Sequence, residues 1–285
     1  MSTATFSAPS SWMERAIKVD LVGCGGTGSE VADALARLHL VLIALGHPQG
    51  LSVRLWDGDV VSESNVGRQR FYPSDVGYNK AEVLAARFNV GFGLSWSARS
   101  EFATPRLLDG TFGPGQDLLV TCVDRASVRV DIGEYFRCKR GRGHAPCPTS
   151  RESMWLDFGN GAVTGQVILG HLLTWNDDAG ARLPNVLNLF PGLPDVDDDA
   201  EPSCSLAAAL RAQEFGINAC VAQAGISSVL TPLLTKDRIG HHGVFVDISA
   251  GTWSPLQIDP AAWDFMQCGS GTSSRARRPR RKRRK

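Results

Sequence analysis

The sequence lacks the features of several large protein classes. Its seven cysteines are scattered, and no two are spaced as C-x-x-C, which excludes a disulfide framework and a zinc ribbon and favours reduced thiols. The N-terminal segment MSTATFSAPSSWMERA has neither the basic start nor the apolar core of a signal peptide. The longest apolar stretch, VADALARLHLVLIALG, is interrupted by Asp33, Arg37 and His39, so it predicts a buried helix and no membrane span. We therefore expect a cytoplasmic protein.

The charge is distributed unevenly along the 285 residues. The net charge is only +1, but the last eleven residues, RARRPRRKRRK, hold nine of the 30 lysines and arginines. The rest of the chain carries 21 basic against 29 acidic residues, a net charge of −8. Residues 268–285 are predicted to be a disordered tail because they have almost nothing to bury. Two interpretations stay open: non-specific contact between residues 275–285 and nucleic acid, or a solvated tail that folds back on the acidic body.

Strand-like and helix-like segments alternate along residues 17–267, after an N-terminal extension of residues 1–16. This alternation predicts an α/β fold: a Rossmann-like, doubly wound, mainly parallel sheet with helices on both faces, extended by a C-terminal mixed or antiparallel strand pair. Residues 176–204 are rich in proline and aspartate and are predicted to form a mobile crossover loop. A long, largely buried helix is expected over residues 205–234, and the folded part is expected to close near Met266.

A glycine cluster follows the first predicted strand, Ile17–Val22. Four glycines form G-x-G-G-x-G at the turn into the next helix, namely Gly23, Gly25, Gly26 and Gly28. Glycine lets the backbone approach a phosphate, and the free N–H groups of a helix N-terminus attract it. Alone, this pattern fits NAD, FAD, S-adenosylmethionine or ATP, or only a tight contact between helix and sheet.

The next segment, LWDGDVVSESNVGRQRFYPSDVGYNKAEVLAARF, is more specific. Asp57 ends the second predicted strand, where an acid accepts hydrogen bonds from a ribose. Arginine and lysine side chains that suit a triphosphate then follow, together with an asparagine and a glutamine: Asn65, Arg68, Gln69, Arg70 and Lys80. Asp124, at the expected end of strand DLLVTCVD, is a candidate ligand for Mg²⁺ on the phosphates.

These motifs resemble the E1-like adenylyltransferases, the ThiF/MoeB/ubiquitin-activating group. The family pattern of GxGGxG, D-x-D-x-V-x-x-S-N-x-x-R-Q and D-x-G-x-x-K-A is matched over Gly23–Gly28, Asp57–Gln69 and Asp75–Ala81. The resemblance implies ATP-dependent adenylation of the C-terminal glycine of a ubiquitin-like or sulfur-carrier protein, by a homodimer. It also implies roles for individual residues: Gly25 beside the nucleotide, Asp57 on the ribose, Asn65, Arg68 and Lys80 on the phosphates, and Asp124 on Mg²⁺.

The sequence departs from the family pattern in three places. Arg125 stands where the family usually has asparagine, after the magnesium aspartate. The N-terminal R-Y-x-R-Q segment, which carries an arginine into the partner subunit's site, is absent, and Arg15 is the only nearby candidate for its role. The paired C-x-x-C zinc sites of many relatives are missing as well, so we expect no structural zinc.

Cys204, in DDDAEPSCSLAAAL, is the best candidate for a thioester-forming nucleophile. It lies between the predicted crossover loop and the predicted long helix, where a helix N-terminus lowers a thiol pKa, although the nearby acidic run raises it. The Cys-Ser-Leu stretch is similar to the compact E1 of the ubiquitin-fold modifier. The alternative is a loop cysteine with no role, with Cys138 and Cys147 as the next candidates. Cys122 and Cys220 are expected to pack in the core, and Cys24 is expected to be a small packing residue of the glycine loop.

A narrower resemblance, carried by PSCS-L-A-A-A-L-x-A-Q, is to ThiF-family members of plasmid-borne bacterial PRTRC gene clusters. Three other functions stay open. A Rossmann NAD-dependent oxidoreductase explains the glycines and Asp57 but gives no role to Arg68, Lys80 and Asp124. A non-catalytic E1-like scaffold that binds a ubiquitin-like partner is compatible with Arg125. An E1-like enzyme acting on a small molecule or RNA would not require Cys204.

Overall fold

A computed structural model of the chain describes residues 4–111, 117–138, 152–173, 182–195 and 213–269. Strands and helices alternate in its first half, as the sequence predicts. The strands are β1 (Ile17–Val22), β2 (Leu51–Trp56), β3 (Ser97–Arg99), β4 (Leu118–Thr121), β5 (Met154–Asn160), β6 (Thr164–His171), β7 (His241–Asp247) and β8 (Thr252–Gln257). The helices are α1 (Gly26–Ala44), α2 (Lys80–Phe92), α3 (Pro105–Thr111), α4 (Ala126–Cys138), α5 (Val186–Leu189), α6 (Ile217–Thr235) and α7 (Pro260–Gly269).

The described strands form one sheet in the order β3-β2-β1-β4-β5-β6-β7-β8. The pairs from β3 to β5 are parallel, and those from β5 to β8 are antiparallel. This confirms the predicted fold class. At the end of β1, Val22 lies between Trp56 of β2 and Thr121 of β4. The chain crosses from one side of β1 to the other here, and ligands bind at such a switch point outside the carboxyl ends of the strands.

Two apolar clusters cover the two faces of the sheet. Helices α1, α2 and α6 pack over one face, where Leu35, Leu84 and Val221 are buried. Helices α3, α4, α5 and α7 pack over the other face, where Ile132 and other residues are buried around Trp155. The N-terminal segment joins the first cluster, because Ala8 and Trp12 are buried in it. Side chains of residues 4–16 therefore contribute to the core of the domain.

Helix α1 is buried on one face only, so the predicted buried helix is confirmed for that face and not for the other. Its N-terminal half and inner side are covered by the sheet and α6, whereas the side chains Leu40, Val41, Ile43 and Leu45 are between 42% and 66% exposed. One strand is also shorter than expected. β4 ends at Thr121 rather than at Asp124, because the chain turns away from the sheet before α4 begins.

The predicted crossover loop is partly wrong. Residues 182–195 include α5 and the 3-10 turn Leu193–Asp195, and Leu183, Val186 and Leu189 are buried. Asn185 starts α5 by accepting hydrogen bonds from the N–H groups of Leu187 and Asn188. Local composition suggested a loop, but the few apolar side chains of this segment reach the core. Residues 176–181 and 196–204 lie outside the described residues.

The long helix begins later than predicted. Gly216 adopts a left-handed conformation with φ of 94°, so α6 starts at Ile217, and residues 205–212 lie outside the described part. Helix α6 is continuous through a π-helical turn, Ile226–Leu230. Among the described helices, α6 is the one that is long and apolar enough to cross a membrane, by length and composition alone. Its packing against α1, β5 and β6 instead gives it the position of a core helix. Helix α7, after the final strand pair, was not predicted.

Candidate nucleotide site

The glycine loop joins β1 to α1 at the switch point of the sheet, and two of its glycines are required by their surroundings. At Gly23, where φ is 89°, an added Cβ would lie 2.7 Å from the carbonyl oxygen of Cys122. At Gly28 it would lie 1.8 Å from the carbonyl oxygen of Gly23. Gly25 differs, since a Cβ there would have no atom within 4 Å. The loop is therefore closed against β4 on one side and open at Gly25.

The open side of the loop is the N-terminus of α1. Gly25 is the N-cap residue and provides no side-chain hydrogen bond to the first turn. The backbone N–H groups at the start of α1 and the positive end of the helix dipole therefore face the space beside Gly25. A phosphate group is the ligand that such an uncapped helix N-terminus attracts.

Asp57, at the end of β2, is buried against the glycine loop. Its Oδ2 atom accepts a hydrogen bond from the N–H of Cys24 at 2.6 Å, and its Oδ1 atom accepts one from the N–H of Asp59 at 2.8 Å. Burial raises the pKa of Asp57, while these two backbone donors oppose the rise. The carboxylate thus connects β2 to the glycine loop. Its predicted contact with a ribose would use the remaining lone pairs of the same oxygens.

The segment between Asp57 and α2 packs on the first turn of α1. The N–H of Arg70 donates to the hydroxyl of Ser29, and that hydroxyl donates to the carbonyl oxygen of Gly26. Asn65 is buried and holds the turn, because its Oδ1 atom accepts from the backbone N–H of Ser62. The predicted phosphate-binding segment is therefore brought beside the glycine loop by the tertiary fold.

The three predicted cations of this segment differ in how they are neutralised. Arg70 pairs with Glu30 and Asp33 on α1, and Lys80 pairs with Asp59 at 2.9 Å. Arg68 has no acidic partner in the described part of the chain, and its Nε atom donates only to the carbonyl oxygen of Ser64. Burial lowers the pKa of Arg68, as expected for a partly buried guanidinium without a nearby carboxylate. Of the three cations, Arg68 is therefore the one that a bound anion could pair with without displacing a described carboxylate.

Asp124 follows β4 at the same edge of the sheet. Its side chain is exposed, and so is that of Arg125 beside it. No group of three or more His, Cys, Asp or Glu side chains that would hold a metal ion occurs among the described residues. Mg²⁺ bound with a nucleotide usually needs only one or two carboxylates, since phosphates and water complete its octahedron. The single exposed carboxylate of Asp124 fits that requirement.

A buried ion pair that the sequence did not reveal supports the β4–α4 turn. The Nε atom of Arg129 on α4 donates to Oδ1 of Asp157 on β5 at 2.8 Å, and both side chains are more than nine-tenths buried. Another nitrogen of Arg129 lies 3.4 Å from the carbonyl oxygen of Arg125. The pair therefore connects β5 to the turn that carries Asp124. No local sequence signal marks it, because the two residues are 28 positions apart.

The cysteine predictions divide into described and undescribed positions. Cys204 and Cys147 lie outside the described residues, and so does the side chain of Cys138. Cys24 is buried in the glycine loop, where burial raises the pKa of its thiol well above the usual range, so it is a packing residue. Cys220 lies on α6 and packs against the core, as predicted.

Arg15 lies at the amino-terminal ends of the central strands, whereas the glycine loop lies at their carboxyl-terminal ends. Its guanidinium forms two hydrogen bonds, of 2.6 and 2.7 Å, to the carboxylate of Asp117, which precedes β4. Arg15 therefore holds the amino ends of β1 and β4 together. Within its own chain it does not reach the nucleotide site.

Comparison with known proteins gives a family match and a fold match. Residues 11–143, somewhat less than half of the chain, match the ThiF family. No curated protein sequence matches the chain. Among solved structures, it is similar to PaaA (TM-score 0.54, 15% identity, 86% of this chain and 65% of PaaA). It is also similar to E. coli MccB with AMPCPP and MccA (TM-score 0.53, 17% identity, 87% and 66%) and to E. coli MccB with ATP (0.51, 16%, 86% and 64%).

At these identities the solved structures establish the fold alone. The family match covers the segment that contains the glycine loop, Asp57, Arg68, Lys80 and Asp124. The chain spans less than two thirds of the length of each of these solved structures. The ThiF match therefore supports the E1-like superfamily, and the PRTRC resemblance stays a prediction.

Proposed function

We propose that this protein is an E1-like adenylyltransferase that binds Mg·ATP on the glycine loop and adenylates the C-terminal carboxylate of a peptide or small carrier protein. Two observations together carry the proposal: the helix N-terminus at Gly25 is open and uncapped, and Arg68, in the segment that packs on this helix, is neutralised by no carboxylate of the described residues. The ThiF match over residues 11–143 and the crystal structure of MccB with ATP support the same conclusion.

In the proposed reaction, a carboxylate oxygen of the substrate attacks the α-phosphorus of ATP. The bond from that phosphorus to the bridging oxygen breaks, and pyrophosphate leaves. The protein's contribution is to position the phosphates with backbone N–H groups and to neutralise their charge with Arg68. Lys80 would add to this charge only by leaving its ion pair with the largely exposed carboxylate of Asp59. Asp124 would hold Mg²⁺, which supplies further positive charge to the phosphates when it is bound.

The substrate that the sequence resemblance implies is a ubiquitin-like or sulfur-carrier protein that ends in glycine. MccB has been crystallised with a second component, MccA, which supports a peptide-like substrate for this fold. Four further features remain predictions from the sequence: a thioester on Cys204, a homodimer, cytoplasmic localisation, and nucleic-acid contact through residues 275–285. They extend the adenylation proposal but do not carry it.

Calorimetric titration with Mg·ATP and with NAD tests the nucleotide. We expect the wild-type protein to bind Mg·ATP and not NAD, and Arg68→Ala to weaken ATP binding about 10- to 100-fold, the range for loss of a hydrogen bond to a charged group. Arg70→Ala is the matched control, because the ion pairs of Arg70 with α1 already satisfy its charge. Binding of NAD alone would overturn the proposal in favour of an oxidoreductase.

Pyrophosphate exchange tests the chemistry separately from binding. With a carrier protein that ends in glycine present, we expect radiolabelled pyrophosphate to enter ATP and Asp124→Asn to lower the rate. Tight ATP binding without exchange, across candidate carriers from the same genome, would instead favour the non-catalytic scaffold. Arg125, exposed beside Asp124, is the residue to test next in that case.

A further inference from the structure

Three polar side chains from distant parts of the sequence meet at the start of α1. The hydroxyl of Thr27 lies 3.1 Å from Oδ1 of Asn160, at the end of β5, and 3.0 Å from Oδ1 of Asn218, in the first turn of α6. The Nδ2 atom of Asn160 donates to the same Oδ1 atom of Asn218 at 3.0 Å. The cluster borders the glycine loop, and no sequence motif includes Asn160 or Asn218.

The hydrogen bonds of this cluster fix the direction of the Asn218 amide. In the structure the Nδ2 atom of Asn160 donates to Oδ1 of Asn218, and the Thr27 hydroxyl lies within hydrogen-bond distance of the same oxygen, which orients the amide. The amide packs against the glycine loop at Gly26, where an added Cβ would lie 2.6 Å from Nδ2, 2.8 Å from Cγ and 2.9 Å from Oδ1 of Asn218, so Nδ2 is the nearest of the three atoms. This Nδ2 atom has no hydrogen-bond acceptor among the residues that the structure describes.

The position of Asn218 also places a second helix N-terminus near the loop. Helix α6 begins at Ile217, after the left-handed Gly216, so Asn218 belongs to its first turn. The helix N-termini of α1 and α6 both carry partial positive charge. An anion beside Gly25 and Gly26 would thus meet backbone donors of α1 together with the free amide of Asn218.

We propose that Asn218 is a nucleotide-binding residue whose Nδ2 atom donates a hydrogen bond to the phosphate chain held by the glycine loop. The inference rests on the proposed function, because it requires a nucleotide phosphate at Gly25–Gly26. In this arrangement Thr27 and Asn160 are positioning residues that orient the amide. Gly26 is glycine because a side chain there would displace Asn218 from the loop.

The test compares Mg·ATP affinities of the full-length wild-type protein, Asn218→Asp, Asn218→Ala and Gln223→Glu. Asn218→Asp keeps an oxygen for Thr27 and Asn160 but replaces the donor with a negative charge. Acidic residues are favourable in the first turn of a helix, so the fold should be retained, which thermal unfolding will verify. Gln223→Glu makes the same charge change on the same helix at an exposed position.

We expect ATP to bind about 10- to 100-fold more weakly to Asn218→Asp, several-fold more weakly to Asn218→Ala, and within twofold of wild type to Gln223→Glu. Part of the Asn218→Asp effect is charge repulsion, so it should shrink in 0.5 M salt, whereas the Asn218→Ala effect should not. Wild-type-like binding by both Asn218 variants would overturn the inference alone. Absence of ATP binding by the wild-type protein would overturn the proposed function, and this inference with it.

Discussion

The Oδ2 atom of Asp57 lies 2.6 Å from the backbone nitrogen of Cys24, so the acid at the end of β2 holds the glycine loop that follows β1. The second oxygen of the same carboxylate accepts from the N–H of Asp59. One buried side chain thus sets both the shape of the glycine loop and the path of the chain as it leaves β2. Its role in the fold is separate from its predicted contact with a ribose.

Asp57→Asn should therefore weaken both the fold and nucleotide binding. An asparagine turns an NH₂ group towards one of the two backbone donors, which leaves that donor without an acceptor in a buried place. We expect a loss of about 1–3 kcal/mol in the free energy of unfolding, measured with urea. Asp59→Asn is the control, since the Asp59 side chain is 55% exposed and its ion pair with Lys80 should contribute about 1 kcal/mol or less. Equal losses in the two variants would show that Asp57 does not hold the loop.

Alanine at Gly25 and at Gly28 should give opposite phenotypes. At Gly28 the new methyl group would overlap the carbonyl oxygen of Gly23, so we expect a strongly destabilised protein with a clearly lower Tm. At Gly25 the methyl group meets no protein atom and fills the space assigned to the phosphate. We expect the Tm of Gly25→Ala to lie much closer to that of the wild type, while its affinity for ATP falls at least tenfold. Unchanged ATP affinity in Gly25→Ala would place the nucleotide elsewhere.

Two buried histidines should make the protein lose stability in mild acid. Burial lowers the pKa of His242 and that of His171 from 6.5 to about 4. For His242, the Nδ1 atom contacts the carbonyl oxygen of Leu169, and Nε2 accepts from the indole N–H of Trp263. These contacts suit the neutral imidazole, because a proton added at Nε2 would meet the N–H of Trp263. Because the folded pKa is depressed, this stabilisation is complete above pH 6.5 and is lost as the pH falls towards 4.

Urea unfolding at pH 7, 6 and 5 measures the histidine effect, in a range above the titration of most carboxylates. We expect the free energy of unfolding to fall by up to about 1.4 kcal/mol per histidine for each pH unit below 6.5. His242→Gln keeps an acceptor and a donor without titrating, so it should reduce this slope by about half. A wild-type slope near zero between pH 6.5 and 5 would contradict the prediction.

The sequence by itself determined the parts of this protein that depend on local pattern. The β-branched run predicted the strand Ile17–Val22, and the glycines after it predicted a turn into a helix, because these features depend on neighbours in the chain. The alternation of such segments likewise predicted the parallel sheet. The order of Asp57, Asn65, Arg68 and Lys80 pointed to a phosphate-binding segment before its position in space was known.

Only the tertiary structure decided which of these residues are free to act. Arg68 and Arg70 look alike in sequence, yet Arg70 is neutralised by two acids of α1 and Arg68 by none in the described chain. The mistaken loop at residues 182–195 and the unseen Asn160–Asn218 contact have the same origin. Burial, ion pairing and amide orientation depend on side chains that are distant in sequence, and packing alone brings those side chains together.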